Sequence, residues 1–333
     1  MDIVRFKAVC CSWNIAAQSY IASPFYIPPC CSPPLLMLNG QKDCDDHPGS
    51  ALQFFSVTEN RYYKMKNSIF EEIQGYYRCL ASSQGWLMVS GRNSDSFCLL
   101  NPFSGVKFQL PYHRRLIRSG ACQQIALILF DQCSPSKSFC IAALCFPRPV
   151  FYMHGDVRWT EFGEKHRKYC RITCHNGLVY ALTYTDTLEA WNFRNDFPEK
   201  VSDLNVSGTV KLRCFGTYLM ESMGELLLVS RIRGGPGFAV YKMDFGRKRW
   251  VLVENLGDRA LFLSEQECVS ISSRNFSEVG ENLIYYTGYD GIDWDGIFRV
   301  YNYKEKKLVV NIDEIRISLD FGEFPFWVVP NPF

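Results

Sequence analysis

The chain has 333 residues, 47% hydrophobic, 15% aromatic and only 21% charged, which excludes a disordered chain and suits a large core with few solvent-facing helices. Its formal net charge of +2 gives no global field that would draw it to nucleic acid or to an anionic membrane, so neither is expected as a partner. Fifteen cysteines, an odd number, follow an N-terminus in which Asp2, Arg5 and Lys7 interrupt any secretory apolar run; reduced thiols and a cytoplasmic or nuclear location are expected.

From Asp2 to about Ser19 the apolar residues Ile3, Phe6, Cys10, Trp13 and Ala17 recur at steps of three and four. That spacing predicts one short helix with Asp2 as its N-cap. Pro24, Pro28, Pro29, Pro33 and Pro34 then oppose regular structure, and residues 20–50 read as a linker.

Beyond residue 50 short apolar runs alternate with Gly, Pro, Asn and Asp, the pattern of an all-β chain. A hairpin recurs. Phe54–Val57 turns into Arg61–Tyr63, Cys98–Asn101 into Val106–Phe108, and Val150–Met153 into Val157–Trp159. Leu188–Trp191 turns at Arg194–Asp196, Phe238–Met243 leads to Lys248–Trp250, and Phe298–Asn302 leads to Lys307–Val309. The markers Val57, Asn101, His154, Asn192, Asp244 and Asn302 are spaced by 44, 53, 38, 52 and 58 residues, close to the length of a propeller blade. Further strands are expected at Gly85–Val89, Gly177–Tyr180, Gly224–Val229 and Asn282–Tyr286, and Ile125–Phe146 reads as two buried strands and a loop. About four strands per unit and six units make a six-bladed β-propeller over residues 51–333. The last run, Phe324–Val329, is placed to complete the first blade.

Few residue groups carry chemistry. Cys170, Cys174 and His175 lack a fourth ligand at an established zinc spacing, and Asp290, Asp293 and Asp295 lack the closing Glu of a calcium loop, so no metal is expected. Gly234–Gly237 has no Lys-Ser or Lys-Thr to follow it and reads as a loop between strands rather than a phosphate cradle. Because propeller loops line one rim, Arg231, Arg233, Gly235 and Pro236 are candidates for contact with a protein partner. Two short basic clusters, His113-Arg114-Arg115 with Arg118 and Lys165-His166-Arg167-Lys168, fit solvated loops or contact with an acidic patch on a partner protein. No nucleophile elbow is present, and neither a catalytic residue nor a cofactor is assigned.

The stretch Asp2-Ile3-Val4-Arg5-Phe6-Lys7-Ala8-Val9-Cys10-Cys11-Ser12-Trp13 resembles the closing part of an F-box. Gln84–Leu87, Leu100–Gly105 through Leu110-Pro111, Tyr218–Ser222 with Gly224–Leu227, and Leu256–Leu263 resemble the KIB-type propeller that follows the F-box in a large plant family. The resemblance implies a non-catalytic, substrate-recruiting subunit of an SCF-type ubiquitin ligase. In it Ile3, Phe6, Cys10 and Trp13 would hold a Skp-type adaptor and its cullin, and the propeller would present an unidentified protein substrate. Such F-boxes begin some thirty residues earlier, with a Leu-Pro start, whereas Met1 here falls inside the motif. A stand-alone interaction scaffold, or an enzyme with a site in the central channel, are the alternative readings.

Overall fold

The computed structural model describes residues 33–38, 51–66, 77–91, 97–118, 126–129, 139–206, 216–287, 298–309 and 325–330. Among them the chain forms six sheets. The first blade joins β1 (Leu35–Leu38), β2 (Ala51–Ser56) and β3 (Arg61–Lys66) to the last strand, β25 (Phe326–Val328), in the order β25-β1-β2-β3. Blade two is β4 (Tyr77–Ser83), β5 (Trp86–Gly91), β6 (Phe97–Leu100) and β7 (Lys107–Leu110). Blade three is β8 (Ala126–Leu129), β9 (Cys140–Ala143), β10 (Val150–Met153) and β11 (Thr160–Glu161). Blade four is β12 (Tyr169–His175), β13 (Leu178–Thr183), β14 (Thr187–Asn192) and β15 (Glu199–Asn205). Blade five is β16 (Thr217–Ser222), β17 (Glu225–Arg231), β18 (Phe238–Asp244) and β19 (Arg249–Val253). Blade six holds β20 (Arg259–Leu263), β21 (Cys268–Ser272), β22 (Leu283–Tyr286), β23 (Arg299–Asn302) and β24 (Lys307–Leu308) in the order β21-β20-β22-β23-β24.

Strands β25, β4, β8, β12, β16 and β21 pack on one another in turn, and β20 returns to β25, so the sheets stand in a closed ring. Side-chain alternation explains why they do. In β10, Val150 and Tyr152 enter the core shared with blade two, while Phe151 and Met153 enter the core shared with blade four. In β1, Leu36 and Leu38 face blade six and Met37 faces blade two. Each sheet is therefore buried on both faces, which is why its strands read as near-continuous apolar runs. Six separate cores result, one between each adjacent pair of blades. Burying each large side chain in them contributes about 1.5–3 kcal/mol.

Ring closure follows the expectation for the final apolar run. Leu36 pairs with Trp327 across the antiparallel β1–β25 ladder, and the fully buried Trp327 indole Nε1–H donates to the Leu263 carbonyl of blade six at 3.2 Å. One strand thus ties the last blade to the first. Two-residue turns close the first hairpins of blades two, four and five: Gln84-Gly85, Asn176-Gly177 and Met223-Gly224 have positive φ at both positions, the geometry matched to strand twist.

The structure departs from the sequence reading at four places. Within the stretch read as linker, Leu35–Leu38 forms β1, because four apolar residues directly after Pro33-Pro34 find partners in β2 and β25 on either side. A five-residue helix, α1 (Arg114–Arg118), lies between β7 and β8 where none was anticipated, anchored by the fully buried Leu116. In blade three the returning strand starts at Thr160, and Val157, 93% exposed, belongs to the turn. Blade six has a fifth strand: β20 and β22 pair in parallel, and β21 forms a hairpin with β20 on its inner side. The helix expected over 1–19 lies outside the described residues.

Candidate functional site

The loop expected to meet a partner connects β17 to β18. Its neck is closed by hydrogen bonds: the Ile232 N–H donates to the Gly237 carbonyl at 2.8 Å and the Arg231 N–H to the Gly216 carbonyl at 2.7 Å. Gly216 has a φ of +73°, and a Cβ there would sit 2.9 Å from the Arg231 Cβ, so the close approach of the two segments requires glycine. Gly237 is similarly crowded, by the Tyr301 hydroxyl at 3.2 Å. Gly235 meets open space.

This geometry divides the four predicted residues. Arg231 is half-buried, its guanidinium 5.1 Å from the Tyr286 ring centroid, and it anchors the loop to blade six. Arg233, Gly235 and Pro236 are exposed at the tip. Ile232, within the same candidate loop, is 51% exposed beside them. The tip thus presents a cation and an apolar side chain on a tied base, an arrangement suited to contact with a protein surface. Ile3, Phe6, Cys10 and Trp13 fall outside the described residues.

The ring centre is the other place where polar groups converge. Arg171 on β12 is buried; its Nη2 lies 2.6 Å from the Glu265 carboxylate in the β20–β21 turn, its Nε–H donates to the Thr217 carbonyl of β16, and its Nη1 donates to the Cys170 carbonyl at 3.1 Å. Burial works against the guanidinium charge, but the Glu265 carboxylate acting together with Cys170, Tyr218 and Cys268 holds the group above its ordinary pKa. Three blades are joined by this one side chain. In the same turn Glu267 accepts the Gln84 N–H of blade two at 3.2 Å, while its second oxygen is buried without a partner among the described residues. Burial pushes this carboxyl up to about 7.

These groups do not assemble into a nucleophilic site. Burial pushes the Cys174 and Cys268 thiols up to about 12, which keeps them neutral and unreactive. The Ser222 and Ser270 hydroxyls bond to each other at 2.7 Å. Cys170 and Cys174 face opposite inter-blade cores across a bulge in β12, and His175 stacks on Phe245 at 5.7 Å, so the three residues weighed as zinc ligands are dispersed. Among the described residues no group of three or more His, Cys, Asp or Glu is gathered for a metal ion, and no helix is long and apolar enough to cross a membrane. The Asp290–Asp295 stretch lies outside the described residues.

Comparison with known proteins agrees with this architecture. The KIB1-4 beta-propeller family profile matches residues 54–309. The F-box/kelch-repeat protein KIB1 of Arabidopsis thaliana is 24% identical over 338 residues, covering 96% of this chain and 83% of that protein. F-box only protein 7 of the same plant is 22% identical over 307 residues, covering 79% and 74%. With more than half of its length matched, from β2 to the end of β24, the chain belongs to the KIB1-4 beta-propeller family.

Proposed function

We propose that the chain is a non-catalytic, protein-recognising propeller that recruits a substrate to an SCF-type ubiquitin ligase. The observation that carries this reading is the similarity to a plant F-box/kelch-repeat protein along 96% of the chain. In this reading the helix expected over residues 2–19 offers Ile3, Phe6, Cys10 and Trp13 to a Skp-type adaptor, which in turn brings a cullin. The propeller presents the substrate, with Arg233 and Pro236 touching it and Arg231 and Gly235 shaping the loop.

Separation of roles makes the proposal testable. The Phe6→Ala, Trp13→Ala double variant is expected to lose co-purification with a purified Skp adaptor while keeping the melting temperature of the parent. Undiminished association of the double variant refutes the assignment of the helix. An interaction scaffold without ligase activity is the outcome if the parent chain itself fails to bind the adaptor.

A further inference from the structure

The two basic clusters, some fifty residues apart in sequence, meet on the edge of blade three. Helix α1 carries Arg115, whose guanidinium pairs with Glu161 at the end of β11. Arg148, in the 144–149 loop between β9 and β10, approaches the same carboxylate at 3.7 Å. The second cluster folds over that loop: the His166 N–H donates to the Pro147 carbonyl at 2.9 Å, and the His166 ring lies 5.8 Å from the Phe146 ring. Trp159 fixes the other side, its indole N–H donating to the Pro111 carbonyl at 2.7 Å.

Charge on this edge is one-sided. Arg114, Arg115, Arg148, Lys165, Arg167 and Lys168 stand against three paired carboxylates, Glu161, Glu164 and the buried Glu189, the last 3.0 Å from the Arg167 Nε. Arg115 and Arg148 share Glu161, and Arg167 takes Glu164 at 2.8 Å, which leaves Arg114, Lys165 and Lys168 exposed with no acidic partner among the described residues. His113 adds no charge at neutral pH, since burial and then Arg115 hold its pKa down. Among these cations Phe146 is 49% exposed and Tyr112 43% exposed, whereas most other aromatic rings among the described residues are enclosed between blades. Covering these two rings would take apolar area out of water, a gain that scales with the area buried.

We propose that the edge of blade three formed by α1 and the 144–149 and 162–168 loops is a docking site for an acidic protein segment carrying an aromatic or aliphatic anchor. The anchor covers Phe146 and Tyr112, and carboxylates on either side of it meet Arg114, Lys165 and Lys168. Three uncompensated cations on a chain of net charge +2 suit a short acidic peptide better than a nucleic-acid backbone, whose affinity grows with many phosphate contacts. The site deepens the protein-recognition reading by naming a partner's chemistry, and it does not depend on adaptor binding.

The test is fluorescence anisotropy of the full chain with a labelled Glu-Glu-Asp-Phe-Glu-Asp peptide, at low and at physiological salt. Saturable binding that weakens with salt is expected, falling about tenfold in Arg114→Glu, Lys165→Glu, Lys168→Glu and about fivefold in Phe146→Ala, with Lys304→Glu on blade six unchanged. Absence of binding, binding indifferent to the triple variant, or tighter binding to single-stranded DNA or phosphatidylserine vesicles overturns the proposal. All substitutions are at exposed positions, and a melting curve verifies folding. Skp co-purification of the triple variant reads the ligase assignment separately: its loss there would not follow from this site.

Discussion

Between its blades this protein buries hydrocarbon and aromatic rings; at its centre it buries charge. The six inter-blade cores are filled by residues such as Phe54, Phe151, Phe238 and Trp327, each almost wholly enclosed. At the axis the enclosed groups are Arg171, Glu265 and Glu267. The two regions do different work. Apolar burial is non-directional and supplies the stability of the ring. A buried ion pair gains little net energy after desolvation, yet removal of one partner strands the other, so it specifies which strands may meet.

Substitutions can break that contrast. The largest effect is expected for Trp327→Ala, which empties part of the core between blades six and one and removes the bond to Leu263; a loss of about 3–5 kcal/mol should appear in denaturant unfolding. Arg171→Ala is expected to cost about 3 kcal/mol by leaving Glu265 buried and unpaired, whereas the double replacement Arg171→Met, Glu265→Leu should restore most of that loss. If the double variant is as unstable as the single one, the pair is not the specificity device described.

Glu267 sharpens the comparison through pH. Its carboxyl is raised in the folded protein to about 7 from an ordinary value of 4.5, so between those limits the folded state keeps a proton that the unfolded state has released. Stability therefore falls as pH rises through that window and levels off above it. Glu267→Gln should flatten the fall and stabilise the protein at pH 8 by on the order of 1–3 kcal/mol, read from melting at a series of pH values. The smallest contrast lies in the β17–β18 loop: Gly216→Ala should cost about 1–2 kcal/mol through its positive φ and the Arg231 contact, and Gly235→Ala close to nothing.

How far the sequence could be read follows the same division. The outer hairpins β2–β3, β6–β7, β14–β15, β18–β19 and β23–β24 were legible because turn residues and the short apolar runs beside them are local signals. The closing strand was legible too, since an apolar run at the end of the chain needs an edge to fill. Strand β1 was hidden by the prolines before it, α1 by being held through one residue, Leu116, and β21 by having no counterpart in the other blades. At the centre Arg171 finds Glu265 94 residues away, and no local pattern announces such a meeting. The loop tip was found from its glycines, but the anchoring role of Arg231 depends on Tyr286 in another blade. Likewise, each basic cluster was visible, and their convergence around Phe146 required the fold.

The proposed division between an N-terminal adaptor element and the propeller is tested most directly by gel filtration with a purified Skp adaptor, comparing the full chain with residues 20–333. Co-elution of the full chain only, with both proteins melting at the same temperature, is the expected result. Co-elution of the shortened chain as well, or its failure to fold, would contradict the division.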